Sequence, residues 1–229
     1  MLAAGTIVTG LSGKMGGIVA ASNRGGQYFR ARGNPVNPRS DAQELVRGNF
    51  ASLQGRWSGQ LDLEQREGWE NYANVVNKVN RVGNTIKLSG ANWYTAGNSL
   101  KLLAGSPIVD DAPETLALAL LTEPGVVSAT AATGVVSVQF NSSDAWANES
   151  TGHLIVSVSR PVPAGRTSEV GGFRYAGQVD GNGTTSPTTP AAITSPFPFE
   201  VGSKIFVRFI AVTADGRRSP EFRSSSIAD

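Results

Sequence analysis

The stretch SKIFVRFIAVTADGRRSP, residues 203–220, decides how the C-terminal half is read. A run of β-branched and aromatic residues over 204–213 ends in the turn Ala214-Asp-Gly216, the pattern of a strand closed by a tight turn. Working back toward the N-terminus, similar short runs recur near 116–121, 126–131, 135–140, 153–159, 173–179 and 190–195, and one more follows near 220–227. Gly, Asn, Asp and Pro clusters separate them, among them Asp180-Gly-Asn-Gly183. The Pro/Thr-rich segment Ser186–Pro190 reads as a loop or sheet edge, because Pro cannot donate to a central ladder.

About seven short strands over roughly 100 residues predict an all-β, immunoglobulin-like sandwich over 111–229. Residues 203–220 also resemble the last hairpin of a fibronectin type III domain. On that resemblance Val207, Phe209 and Ala211 take the inward positions and Ala214-Asp-Gly216 the turn. Ile205 stands where that family has a tyrosine, and Phe140 falls near the place of its early tryptophan. The fold alone specifies no function.

Before Pro113 the pattern differs. Ser40-Asp-Ala-Gln43 has the form of a capping box, and Leu45, Val46, Phe50, Leu53 and Trp57 follow at helical spacing. Asp62-Leu-Glu-Gln65 opens a second helix that carries Trp69, Tyr72, Ala73 and Val76 on one side. Two helices with a short loop predict an antiparallel pair with Trp57, Trp69 and Tyr72 as its aromatic seam. Ser89 caps a third helix, with Trp93, Leu100 and Leu103 as its apolar face and Gly105 at its end. Residues 107–113 read as a linker. The charge changes sign there: residues 1–110 carry a net +5 and residues 111–229 a net −3.

Upstream of the helices lies LSGKMGGIVAASNRGGQYFRARGNPVNP, residues 11–38. It is rich in Gly and Arg and almost free of acids. Runs at 5–9, 16–21 and 27–32, with a turn at Asn23–Gly26, predict a hairpin or small meander too small to stand alone. Asn34-Pro-Val-Asn-Pro38 fixes an extended exit. The expected class is therefore α+β, in three parts: a docking arm over 1–38, a helical domain over 39–110, and the sandwich over 111–229.

Within the arm, Lys14, Arg24, Tyr28, Phe29, Arg30, Arg32 and Arg39 are the candidate partner-binding residues. An alternating strand puts Tyr28, Arg30 and Arg32 on one face and Phe29 and Ala31 on the other. Arg binds carboxylates bidentately and Tyr supplies buried area, so an acidic protein surface is the expected partner. Nucleic acid ranks lower, since +5 over 110 residues is modest for such a domain. Trp146, the tryptophan of the C-terminal half, is a candidate receptor contact.

Residues 10–105 also resemble a family of uncharacterised proteins encoded in tailed bacteriophages and prophages. The resemblance is carried by Gly13-Lys-Met-Gly-Gly17, Arg24–Arg32, Asn37-Pro38, Gln43, Arg47, Phe50, Trp57, Gln65-Arg66, Trp69 and Tyr72-Ala73. It implies a non-enzymatic virion structural protein, a cement, decoration or head–tail subunit present in several copies, located in the virion. Its expected partners are capsid, neck or tail proteins. Alternatives are a host- or glycan-binding adhesin using the sandwich, and a nucleic-acid-associated packaging protein.

The residues offer little for catalysis. The chain has no cysteine and one histidine, His153, so thiolate sites and His-rich metal clusters are excluded. Gly13-Lys14 lacks the Walker spacing, and Met15 replaces the magnesium-binding hydroxyl. A Ser/His/Asp mechanism would have to recruit His153, and no nucleophile motif surrounds any serine. Asp180-Gly-Asn-Gly183 lacks the remaining acids of a calcium loop. No catalytic residue, metal or cofactor is expected. No apolar run reaches the ~18 residues of a membrane span, and no secretory signal is visible at Met1.

Overall fold

The computed structural model describes residues 12–23, 26–33, 36–79 and 84–229. The predicted run at 5–9 lies outside them, as does the centre of the Asn23–Gly26 turn. The chain is mixed α+β and divides into two compact units, Met1–Glu44 and Leu45–Asp229.

In the first unit, β1 (Gly13–Met15), β2 (Ile18–Asn23) and β3 (Gly26–Ala31) form an antiparallel sheet in the order β1-β2-β3. The strands β2 and β3 correspond to the expected runs at 16–21 and 27–32, whereas β1 was not expected and the run at 5–9 lies outside the described residues. The Arg32 N–H donates to Gly17 O at 2.8 Å and extends the ladder past β3.

In the second unit, three helices come first. The helix α1 (Asp41–Gly59) begins as predicted, with Ser40 O accepting from the N–H groups of Gln43 and Glu44. The predicted apolar stripe is only half used. Leu53 is buried and Trp57 half-buried, but Leu45, Val46 and Phe50 are 56%, 62% and 57% exposed. Periodicity marks which side of a helix is apolar; burial also needs a neighbour, and among the described residues it is in the last turns of α1 that the stripe is covered. The helix α2 (Leu63–Val75) carries the full capping box: Asp62 accepts from the Gln65 N–H, and the Gln65 side chain accepts from the Asp62 N–H. A short hairpin, β4 (Lys78–Val79) with β5 (Thr85–Ile86), leads to α3 (Gly90–Leu103), capped by Ser89.

The aromatic seam draws on α3 as well as on the predicted pair. Trp57 packs on Tyr94, Trp69 on both Tyr72 and Tyr94, and Tyr72 on Trp93, with ring centroids 5.4–5.9 Å apart. Tilted and edge-on pairs of this kind contribute about 0.5–1.5 kcal/mol each beyond their buried area. Desolvation in this cluster pushes the Tyr72 hydroxyl up to about 12.

Two antiparallel sheets follow. One holds β6 (Gly125–Thr130), β7 (Val135–Gln139) and β11 (Ala191–Thr194), in the order β11-β7-β6. The other holds β8 (His153–Ser159), β10 (Phe173–Asp180), β12 (Ser203–Val212) and β13 (Phe222–Ile227), in the order β10-β8-β12-β13, with β9 (Val162–Pro163) paired to β12. The strand β8 is buried along its whole length, His153, Ser157 and Ser159 included. Val136 and Val138 of one sheet share a core with Leu154, Val156, Val207 and Phe209 of the other. The predicted run at 116–121 forms no strand. Ala119 N–H donates to Arg218 O and Ala117 O accepts from Tyr72 Oη–H, single bonds that tie it down without a ladder.

Candidate functional site

The register of the arm sheet assigns its faces. Lys14, Val19 and Arg30 stand opposite one another, as do Ala21 and Tyr28. Opposed residues share a face, so Lys14, Tyr28 and Arg30 lie on one side, and alternation adds Arg32. On the other side Met15, Ile18 and Ala31 are opposed, as are Ala20 and Phe29. One face is thus basic with a tyrosine; the reverse face is apolar, and on it Met15 is 76% and Ile18 49% exposed. Tyr28 and Phe29 are both half-buried and face opposite ways. A flat partner covers one of them, not both. Arg39 is exposed, in the stretch before α1, at φ 47°. Arg24 lies outside the described residues.

Trp146 is corrected. It sits in a short 3-10 helix (Ala145–Asn148), is 0% exposed, and packs its ring against Phe140 at 5.3 Å. Polar bonds turn this loop inward: the Asp144 carboxylate accepts from the Thr122 N–H and hydroxyl, and Asn148 Nδ2 donates to Ser142 O and Asp144 O. A polar flank in sequence marks a surface loop, yet it does not show which member of the loop anchors the core. Trp146 therefore makes no receptor contact.

A cluster that sequence reasoning missed lies where the end of α3 meets the second sheet. The helix ends in a Schellman motif: the Gly105 N–H donates to Leu102 O at 3.2 Å and the Ser106 N–H to Lys101 O at 2.9 Å, with Gly105 at φ 77°. This presents Ser106 to His153. Ser106 Oγ lies 2.6 Å from His153 Nε2, and His153 Nδ1 lies 2.7 Å from Asp180 Oδ1. An ionised carboxylate only accepts, so in the neutral ring Nδ1–H donates to Asp180 and Nε2 accepts from the Ser106 hydroxyl. Gln178 Nε2 bridges Asp180 Oδ1 and Ala104 O. One turn back, the buried Lys101 ammonium donates to Ala214 O at 2.9 Å and Thr151 O at 3.2 Å. Burial lowers its pKa, opposed by the charges of Glu149 and Asp215. Gly97 lets the helix come this close, since a Cβ there would stand 1.9 Å from Gly216 O.

The Ser106–His153–Asp180 chain has the spacing of a nucleophile, a base and its orienting acid. Acyl transfer needs more: donors aimed at the developing oxyanion. The N–H of Ser106 is committed to Lys101 O, that of Gly105 to Leu102 O, and Pro107 has none. What the chain does supply is a continuous set of hydrogen bonds between α3 and the sheet.

The predicted linker is held as firmly. Asp110 receives Arg56 bidentately, Nε to Oδ1 at 2.7 Å and Nη2 to Oδ2 at 2.6 Å, and Oδ1 also accepts from Tyr94 Oη–H. The Arg56 hydrogen bonds hold the Asp110 carboxyl below its ordinary value, although burial opposes them. Trp69 Nε1–H donates to Asp110 O at 2.8 Å, and buried Asn98 both donates to and accepts from the Val109 backbone. The available signal was weak: Asn98 and Lys101 are two of five polar residues in α3, beside Asn92, Thr95 and Ser99.

No family model, no curated protein and no solved structure matches the chain.

Proposed function

We propose that this protein is a non-enzymatic structural subunit of a phage virion, an accessory cement, decoration or head–tail protein that docks through its N-terminal arm. The observation that carries the docking is the two-faced sheet, with Lys14, Tyr28, Arg30 and Arg32 on one side and Met15, Ile18, Ala20 and Phe29 on the other. Of the two faces, the basic one offers a flat partner bidentate carboxylate recognition together with the buried area of a tyrosine. Membership of a virion rests on the resemblance of residues 10–105. Capsid, neck or tail proteins are the partners, and many copies on one particle would amplify a modest single-site affinity. The non-enzymatic reading is favoured by the N–H groups of Gly105 and Ser106 being engaged by Leu102 O and Lys101 O.

In this reading residues 125–227 are an immunoglobulin-like sandwich. Support comes from the seven main strands, divided three and four between two sheets with one shared core, and from the chain crossing between sheets after β7, after β10 and after β11. With Trp146 in that core, nothing specific favours the adhesin alternative.

The test uses the full chain carrying Arg30→Glu and Arg32→Glu. Added to particles that lack the protein, it is expected to bind at least about tenfold fewer copies than the wild type. Undiminished binding would refute docking through this face. Salt-dependent DNA binding by the wild type, lost in the same variant, would favour the packaging alternative.

A further inference from the structure

A cavity of about 900 Å³ opens between the β4–β5 hairpin, α3, and the segment around Arg218 that leads into β13. Its walls are apolar in part: Trp93, Leu118, Val79 and Ile86 line it. Its charges do not balance. Glu221 is engaged by Arg223 at 2.7 Å and lies 3.8 Å from Arg208, and Arg223 also holds Glu169. That pairing leaves Arg218 and Lys78, both lining the cavity, with no carboxylate partner among the described residues. Arg218 is the telling one. Burial lowers its pKa, opposed by the charge of Glu221, and its side chain makes no hydrogen bond among the described residues. Glu221 already faces Arg208 and Arg223, so the desolvated guanidinium of Arg218 shares a counter-charge that is spread over three arginines. Trp93, 2% exposed, adds an indole N–H with no acceptor among the described residues.

We propose that this cavity binds a carboxylate that carries an apolar body, with the carboxylate on Arg218, Lys78 nearby, and the body against Trp93, Leu118 and Ile86. A planar guanidinium takes a carboxylate through two parallel hydrogen bonds, and the walls offer an inorganic anion nothing further. The same chemistry comes from a small organic acid or from the free C-terminus of a partner chain ending in an apolar residue. The site shares no residue with the arm and stands independently of docking through it.

The experiment follows the tryptophan indole N–H signals of the full ¹⁵N-labelled chain by NMR at constant ionic strength, with Trp93 assigned through Trp93→Phe. The probes are 4-phenylbutyrate, its neutral amide, and inorganic phosphate. The Trp93 signal is expected to shift saturably with 4-phenylbutyrate while the buried Trp146 signal stays fixed. The amide should bind about tenfold more weakly or worse, as loss of a charge-assisted pair implies. Arg218→Met should lose binding to the same degree. Lys78→Met, at an exposed position, should fold normally and weaken binding about threefold. A peptide ending in a free Phe carboxylate that binds more tightly than 4-phenylbutyrate would assign the source to a chain terminus; the reverse would assign it to a small acid. Equal binding of acid and amide, equal effect of phosphate, or no Trp93 shift would each overturn the proposal. If Arg218→Met does not fold, the acid–amide comparison and Lys78→Met decide.

Discussion

Replacing Ser106 by Ala separates a structural chain of hydrogen bonds from a catalytic one. The substitution removes the 2.6 Å bond to His153 and leaves Nε2 of a ring that is 4% exposed without its partner. Orphaning a buried polar atom costs about 1–3 kcal/mol. Ser106 itself is half-buried, so water replaces part of the loss and about 1–2 kcal/mol remains. A chain of this size unfolds in urea with a slope of about 2–3 kcal/mol/M, so the midpoint should fall by roughly 0.5 M at unchanged slope. Asp180→Asn should cost less, because the Asp180 side chain is 62% exposed. The assay is urea unfolding followed by tryptophan fluorescence, paired with hydrolysis of an activated ester. The reasoning fails if Ser106→Ala leaves the midpoint unchanged while abolishing an ester hydrolysis that the wild type performs. That pair of results would make Ser106 a nucleophile and the protein an enzyme.

Two further outcomes probe the same region. Gly97→Ala should destabilise by about 1–3 kcal/mol or more, because the new methyl would overlap Gly216 O and force α3 off the sheet; thermal unfolding measures it. Asp110 has a folded pKa depressed below 3.8, so its ion pair with Arg56 contributes above the unfolded value and is lost as pH falls through the folded one. The stability gap between the wild type and Asp110→Asn should therefore hold steady from pH 7 to about 5 and close below about 4. A gap that persists to pH 2 would show that the Asp110 charge is not what matters.

Local signals were the legible ones. The boundaries of β8, β10 and β12 were read from the sequence to within a residue, because alternation and turn residues are properties of neighbours in the chain. The capping box at Asp62 worked for the same reason, as Asp62 and Gln65 close on each other without outside help. Questions that depended on what lies across the fold went unanswered. Leu45, Val46 and Phe50 look as apolar as Leu53, yet of the four Leu53 alone is buried. Trp146 sits among polar residues in sequence and in a core in space. Ser106, His153 and Asp180 are 47 and 27 residues apart along the chain, and no local pattern brings them together. The arm was legible in part. Alternation put Tyr28 and Arg30 on one side of the strand, while the apolar reverse face needed the pairing of Met15 with Ile18 and Ile18 with Ala31.

The central claim is that the arm face bearing Tyr28, Arg30 and Arg32 is the attachment device. The most direct measurement is the number of copies bound per particle by the full chain, wild type against Arg30→Glu with Arg32→Glu. A fall of about tenfold or more, with an unchanged urea midpoint for the free protein, is the predicted result. Wild-type occupancy by the charge-reversed chain would contradict it.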